Sequence, residues 1–121
     1  MNQPKELCPT ATKSRADLGA LILDIRPKEE VAVFHFDVPN YKNIPVNELQ
    51  NRLNELPKDE RIVCVDNNPE NAAIVAQFLL QNGFKKAYYM KRSVVKWVSK
   101  GFPVIGNLSG EIEEHSCGCS H

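Results

Sequence analysis

Apolar residues fall into short runs separated by polar segments, and these runs predict the strands of the fold. Residues 21–25 and 62–65 are apolar on both faces and too short for helices, as expected of central strands in a parallel sheet. Residues 41–44 and 87–90 are predicted as further strands, and residues 5–9 as a short edge strand. The pattern therefore predicts five strands spread along the chain.

The best-specified helix is predicted over residues 70–82. Asn68 is placed as its N-cap, Pro69 at its first position and Gly83 as its C-cap. An apolar face is predicted for this helix, made of Ile74, Val75, Phe78 and Leu79. The helix directly follows a buried strand, which is where open α/β folds place a ligand or a reacting anion.

Shorter helical segments separate the other strands. They are predicted at residues 10–18, closed by Gly19, at residues 29–33, and at residues 93–100. Another helix is predicted to start at an Asn47 cap, with apolar residues at helical spacing: Val46, Leu49, Leu53 and Leu56. Strands joined by helical crossovers predict an α/β fold, an open five-stranded and mainly parallel sheet with helices on both faces.

Length and charge exclude several classes of protein. A chain of 121 residues fits one domain, and its 15 basic and 15 acidic residues give no electrostatic reason to expect nucleic acid or a membrane surface as partner. No apolar run reaches transmembrane length and the start lacks an apolar leader, so a cytoplasmic location is expected. Four cysteines are too few and too unevenly spread for a disulfide scaffold.

Several short motifs resemble those of the rhodanese-like domain family in their order and spacing. The motifs are Leu23-Asp24-Ile25-Arg26-Pro27-Lys28-Glu29-Glu30, a lone His35, Asn43-Ile44-Pro45, Glu55-Leu56-Pro57-Lys58-Asp59, Gly83-Phe84, Trp97 and Gly101-Phe102-Pro103-Val104. The resemblance covers residues 5–106 and implies a rhodanese fold. Residues 1–4 are then an N-terminal end, and residues 107–121 are expected to form a flexible C-terminal tail.

The loop after residue 65 departs from the family. The resemblance places the sulfur-accepting cysteine of active rhodaneses at Asp66, and a carboxylate cannot accept sulfane sulfur. The whole loop lacks Cys, Gly, Ser and Arg, reading Asp66, Asn67, Asn68, Pro69, Glu70, Asn71 and Ala72. Asp66 is expected to fill the electropositive helix N-terminus, and Pro69 removes one N–H. The loop is thus either a stable cap on a retired site or a site for another ligand.

The remaining candidates in the domain favour structural interpretations. Asp24 and Arg26 match the family's paired charges and are predicted to form an ion pair that braces a loop. His35, between two phenylalanines, is interpreted as structural rather than as an acid or base. Cys64 is expected to be buried, with a raised pKa and poor nucleophilicity. Cys8 is considered about as unpromising as Cys64 as a replacement nucleophile.

The tail carries the second candidate chemistry. His115, Cys117, Cys119 and His121 are soft or borderline ligands, suited to zinc or copper. Cys-X-Cys spacing is shorter than usual in zinc sites, and neighbouring thiols also exchange disulfides or carry sulfur. Metal binding, thiol chemistry and an inert tail all stay open.

The sequence thus favours a catalytically inactive rhodanese-like domain acting as a binding or regulatory module. A protein partner or a small anion is its expected ligand. The alternative is a sulfur (persulfide) or metal carrier that uses Cys117 and Cys119.

Overall fold

The computed structural model of the protein describes residues 3–106. In chain order the elements are β1 Lys5–Leu7, α1 Pro9–Asp17, β2 Leu21–Asp24, α2 Lys28–Val33, β3 Phe34–Phe36, β4 Tyr41–Asn43, a 3₁₀ helix Val46–Glu55, β5 Ile62–Val65, α3 Pro69–Gln81, β6 Ala87–Met90, α4 Val94–Ser99 and β7 Val104–Gly106. The expectations for residues 107–121, including the tail and its four candidate ligands, lie outside the described part of the chain.

Five strands form one sheet in the order β1-β6-β5-β2-β4, and every neighbouring pair is parallel. Strands β2 and β5 lie at the centre, where all eight of their residues are buried. The predicted α/β fold is confirmed. Because all five strands point the same way, the loops that follow them meet at one edge of the sheet, here called the carboxyl edge.

The sheet separates two apolar cores, one on each face. On one face, α3 and the 3₁₀ helix cover the sheet with Leu49, Ala72, Val75, Ala76 and Leu79. On the other, α1 and α4 contribute Ala16, Val94 and Trp97, together with Phe34 and Phe36 of β3. Alternate residues of β5 therefore serve opposite cores, which explains why this strand is apolar on both faces.

A second, two-stranded sheet was not predicted. Strands β3 and β7 pair antiparallel, with Phe34 opposite Gly106 and Phe36 opposite Val104. Trp97 supports this ribbon, because its indole N–H donates to the Pro103 carbonyl oxygen at 3.0 Å and its ring stacks on Phe36. Only glycine fits at position 106, where an added Cβ would lie 2.2 Å from the Val33 carbonyl oxygen.

Two details of the predicted helices are wrong. Asn47 caps nothing: the element is a 3₁₀ helix that begins at Val46 after Pro45, with no side-chain cap. Ile74 does not belong to the face of α3 that packs against the sheet, because it is 66% exposed while Val75 and Leu79 are buried. The buried stripe of this helix instead includes Ala72 and Ala76, small residues that bring the helix close to the sheet.

Within residues 3–106, none of the helices has both the length and the apolar character needed to cross a membrane. The cytoplasmic location stays a prediction.

Candidate functional site at the carboxyl edge of the sheet

Asp66 lies where the central strand β5 gives way to α3, and its side chain is turned back into the loop. The residue is 8% exposed. One carboxylate oxygen, Oδ2, accepts a hydrogen bond from the Asn68 backbone N–H at 3.2 Å and another from the Asn71 side-chain amide at 3.3 Å. The carboxylate therefore bridges the loop and the first turn of the helix that follows it.

None of the residues from 68 to 72 has a backbone N–H that is free to donate to a ligand. The Asn68 N–H is used by Asp66, and Pro69 has none. The Asn68 side chain caps the helix as predicted, accepting from Glu70 N–H at 2.9 Å, and its carbonyl oxygen accepts from Asn71 and Ala72. A helix N-terminus ordinarily offers several N–H groups to an anion, but here the protein's own oxygens take them.

Neighbouring elements fix this loop from two sides. The Asp66 carbonyl oxygen accepts from Val94 N–H at 3.2 Å, which anchors the start of α4. The Asn67 side-chain amide donates to the Glu30 carboxylate of α2. The loop is thus held by α2 and α4 as well as by its own cap.

The predicted ion pair forms at the next strand of the sheet. Arg26 and Asp24 are fully buried, and Arg26 Nη2 lies 2.7 Å from Asp24 Oδ2. Arg26 also donates to the Phe34 carbonyl oxygen at 2.9 Å, and the Tyr41 hydroxyl donates to Asp24 at 2.7 Å. This network joins β2 to the start of β3 and to β4, which accords with the predicted bracing role.

Burial and the charge of Asp24 act in opposite directions on the pKa of Arg26 and in the same direction on the pKa of Tyr41. Burial opposes the charge on Arg26, but the hydrogen bonds and attraction from Asp24 outweigh it and raise the pKa of the guanidinium. Burial also raises the pKa of Tyr41, and the adjacent Asp24 carboxylate raises it further. Tyr41 therefore stays a hydroxyl that donates to Asp24.

His35 lies in the middle of β3. It pairs in the ribbon with Ile105, and its ring centroid lies 5.3 Å from that of Tyr41. This placement in an aromatic cluster accords with the predicted structural role.

The two cysteines of the described residues are in opposite environments. Cys64 is fully buried in β5, and burial raises the pKa of its thiol, as predicted. Cys8 is exposed, and its sulfur accepts from Ala11 N–H at 3.4 Å as the N-cap of α1. That hydrogen bond lowers the pKa of the Cys8 thiol, with a smaller contribution from Lys91. Cys8 is therefore accessible to solvent, unlike Cys64, and its standing as a nucleophile stays a prediction.

Sequence reasoning missed Cys8 as the N-cap of α1 because the residue gives little local signal. Cysteine is not a preferred N-cap residue, and α1 is polar with weak periodicity. Pro9 was a usable signal, since proline favours the first position of a helix and thus points to the preceding residue as the cap.

The fold and the site together define an open α/β domain with buried charged residues, Asp24, Arg26 and Asp66, at the carboxyl edge of a parallel sheet. The family model of the rhodanese-like domain matches residues 9–100. The chain belongs to the rhodanese-like domain family.

Curated relatives are similar at low identity. The chain is 24% identical over 85 residues to a protein named sulfurtransferase from Allochromatium vinosum, covering 70% of this chain and 78% of that protein. It is 28% identical over 88 residues to the putative sulfur carrier protein YrkF of Bacillus subtilis, covering 73% of this chain and 46% of that protein. The chain thus spans less than half the length of the second relative.

Solved structures share the fold. The polysulfide-sulfur transferase homodimer of Wolinella succinogenes superposes with a TM-score of 0.77 at 23% identity, covering 86% of this chain and 80% of that chain. A rhodanese-related protein of Thermoplasma volcanium superposes with a TM-score of 0.73 at 22% identity, covering 84% and 97% respectively. At these identities the likeness is one of fold.

Proposed function

We propose that this chain is a rhodanese-like domain with a sulfur-related role that does not transfer sulfur at the loop after β5, and that it acts as a binding or regulatory module. The observation that carries the proposal is the closed helix N-terminus. From residue 68 to residue 72, each backbone N–H is absent or bonded to an oxygen of the loop itself.

Sulfur transfer at this position needs a nucleophile and free donors around it. Asp66 is a carboxylate and forms no persulfide, and the resemblance to active rhodaneses places their cysteine at this residue. Cys64 cannot take over the role, because it is buried in the central strand with a raised thiol pKa. The loop lacks both requirements.

A protein is a better candidate partner for this module than a small anion. An anion at the loop would compete with Asp66 for the Asn68 N–H and would be repelled by Asp66, Glu30 and Glu70. A protein partner can instead bind the surface without opening the cap.

Thiosulfate:cyanide sulfurtransferase activity tests this proposal directly. We expect turnover at the background rate, with an active rhodanese as positive control. We also expect the NMR signals of the Asn68–Ala72 backbone amides to stay unchanged when thiosulfate is added. Robust turnover that disappears in Cys64→Ser would contradict the proposal, because it would show that the β5 thiol is accessible.

The second candidate is a sulfur or metal carrier whose working thiols are Cys117 and Cys119. The names of two relatives, a sulfurtransferase and a putative sulfur carrier, support a sulfur-related role. The position at which the chain leaves the described fold, after Gly106, also supports the carrier function. Gly106 pairs with Phe34, whose carbonyl oxygen is bound by Arg26, so the chain leaves the described fold near the carboxyl edge.

Native mass spectrometry of the purified full chain distinguishes the two candidates. A carrier is expected to show added sulfur or a bound metal ion that is lost in the double variant Cys117→Ser, Cys119→Ser. The unmodified mass, before and after incubation with a persulfide donor or Zn²⁺, would exclude the carrier and favour the module.

A further inference from the structure

A cavity of about 500 Å³ opens at the end of the sheet opposite the Asp66 loop. Its lining includes Ala20, Arg61 and Lys86, which directly precede the strands β2, β5 and β6 respectively. Because these strands are parallel, their first residues meet at one edge of the sheet, here called the amino edge. The cavity is therefore separated from the Asp66 loop by the length of the central strands, and its volume is that of a small-molecule site.

Three basic side chains from different parts of the chain line this cavity. They are Arg15 near the end of α1, Arg61 and Lys86. None of the three forms an ion pair with a carboxylate within residues 3–106. Arg15 is nonetheless held in place, because its guanidinium carbon lies 5.1 Å from the centroid of the Tyr88 ring. Three positive charges are therefore left for a ligand.

The acidic side chains of the same lining limit which anion can bind. Asp59 and Glu60 also line the cavity, which thus holds three basic and two acidic side chains. Neither carboxylate is paired with a basic side chain of residues 3–106. A bare inorganic anion would be repelled by both carboxylates and would give them no hydrogen-bond donor. The ligand is therefore expected to carry donors as well as negative charge.

Hydroxyl groups are the donors that suit this lining. Carboxylates accept from hydroxyls, and Asn40 can do the same with its amide oxygen, since its amide nitrogen donates to the Gly19 carbonyl oxygen at 3.4 Å. None of the described residues that line the cavity is aromatic, so a nucleobase would find no ring on which to stack. The lining thus favours a sugar or polyol over a nucleotide.

Phosphate is the anionic group that matches the three cations. A phosphate monoester carries a charge between about −1.5 and −2 at neutral pH and has more acceptor oxygens than a carboxylate. Guanidinium groups bind phosphate through two parallel hydrogen bonds, and lysine binds it as a point charge. We propose that the amino-edge cavity binds a small phosphorylated sugar or polyol, with its phosphate at the three basic side chains and its hydroxyl groups at the two acidic ones. The inference uses neither the Asp66 loop nor the C-terminal segment, so it is independent of both candidate functions.

Titration of the ¹⁵N-labelled full chain with ribose 5-phosphate, followed by NMR at physiological ionic strength, tests this site. Salt at that concentration screens diffuse attraction between exposed charges. We expect saturating shifts of the backbone amides at residues 18–20, 60–61 and 86, while the Asn68–Ala72 amides stay unchanged. Inorganic phosphate should bind more weakly than ribose 5-phosphate, and AMP should bind no more tightly.

Lys86→Gln and Lys91→Gln form a matched pair of variants. Both lysines are exposed, and they stand at opposite ends of β6, so each change removes one positive charge from the surface. Lys86→Gln should weaken the binding of ribose 5-phosphate about tenfold, as expected for the loss of a hydrogen bond from a charged donor. Lys91→Gln should bind as the wild type does. Arg61→Gln repeats the test at the second cation and should also weaken binding.

Four results would overturn the proposal. Shifts that never saturate, or equal effects of Lys86→Gln and Lys91→Gln, would show only a diffuse attraction between charges. Inorganic phosphate that binds as tightly as ribose 5-phosphate would exclude a role for the hydroxyl groups, and tighter binding of AMP would indicate a nucleotide instead. A polyglutamate peptide that shifts the same amides when ribose 5-phosphate does not would make the cavity a protein-binding surface. All four leave the proposed function of the Asp66 loop untouched.

Discussion

The carboxylate of Asp66 accepts a hydrogen bond from the side-chain amide of Asn71, 3.3 Å away, across the first turn of α3. The same oxygen accepts from the Asn68 backbone N–H. One acidic side chain thus satisfies donors from both the loop and the helix, and the helix N-terminus needs no external anion. We therefore expect the stability of this loop and the proposed lack of sulfur transfer to have the same structural cause.

Replacing Asp66 with alanine should destabilise the fold. The change leaves a backbone N–H and a side-chain amide without their acceptor, at a cost of about 1–3 kcal/mol in the free energy of unfolding. Asp66→Asn should cost less, because the amide oxygen still accepts. Urea denaturation measures both, with Asp59→Ala at an exposed position as control. Equal stability of Asp66→Ala and the control would mean that these hydrogen bonds contribute nothing.

Breaking the buried ion pair between Asp24 and Arg26 should destabilise the fold more than Asp66→Ala does. Arg26→Met leaves Asp24 charged and buried, and breaking such a pair from one side costs about 3–5 kcal/mol. The double change Asp24→Leu, Arg26→Met should recover part of this loss, because no unpaired charge remains. Chemical denaturation of the two single variants and the double variant gives the coupling energy. A loss below about 1 kcal/mol for Arg26→Met would show that the pair does not brace the fold.

Cys64 makes stability depend on pH in the alkaline range. Burial raises its thiol pKa in the folded state, so the folded protein holds this proton more tightly than the unfolded chain does. The contribution of the protonated Cys64 thiol to the free energy of unfolding is fully present below the thiol pKa in the unfolded chain, near 8.5. This contribution is lost as pH rises above that pKa. Between pH 7.5 and 9.5 the wild type should lose about 1.4 kcal/mol more than Cys64→Ala does. Parallel stability curves for the two proteins would show that the thiol ionises in the folded state.

Much of this architecture is predictable because its signals are local. The apolar run 62–65, the Asn68 cap and Pro69 specify β5 and the start of α3 within eight residues, and the structure agrees with them. The buried pairing of Asp24 with Arg26 is also local, since the two residues share one strand end.

Other features depend on contacts between distant parts of the chain. Strands β3 and β7 have three residues each and lie about seventy residues apart, so neither shows a pattern until it meets its partner. Ile74 fits a helical apolar stripe, but Ala72 and Ala76 face the sheet more closely and leave it in solvent. The exposure of Cys8 likewise follows from the position of β1 at the end of the sheet.

The C-terminal segment should be dispensable for folding in metal-free buffer. Truncation after Gly106 keeps the whole β3–β7 ribbon, and none of residues 107–121 completes an apolar face in the sequence. We expect the melting temperature to stay within a few degrees, whereas a loss of 1 kcal/mol would lower it by about 4–8 °C. A large loss on truncation without metal would show that the segment packs on the domain.

Asp66→Cys alone should restore little sulfur transfer, because the loop lacks more than a sulfur atom. The new thiol would meet the Asn68 N–H and the Asn71 amide, so its pKa can fall modestly. The loop supplies no cation, however, and Glu70 opposes a thiolate by like-charge repulsion. Pro69 withholds one N–H, and the N–H groups of Asn71 and Ala72 remain bonded to the Asn68 carbonyl oxygen, which leaves no donor for an outer sulfur.

We expect slow alkylation by iodoacetamide and thiosulfate:cyanide turnover near background, with Asp59→Cys as the matched exposed control. Activity comparable with that of an ordinary rhodanese would mean that the loop is already a competent cradle and that the site is not dismantled.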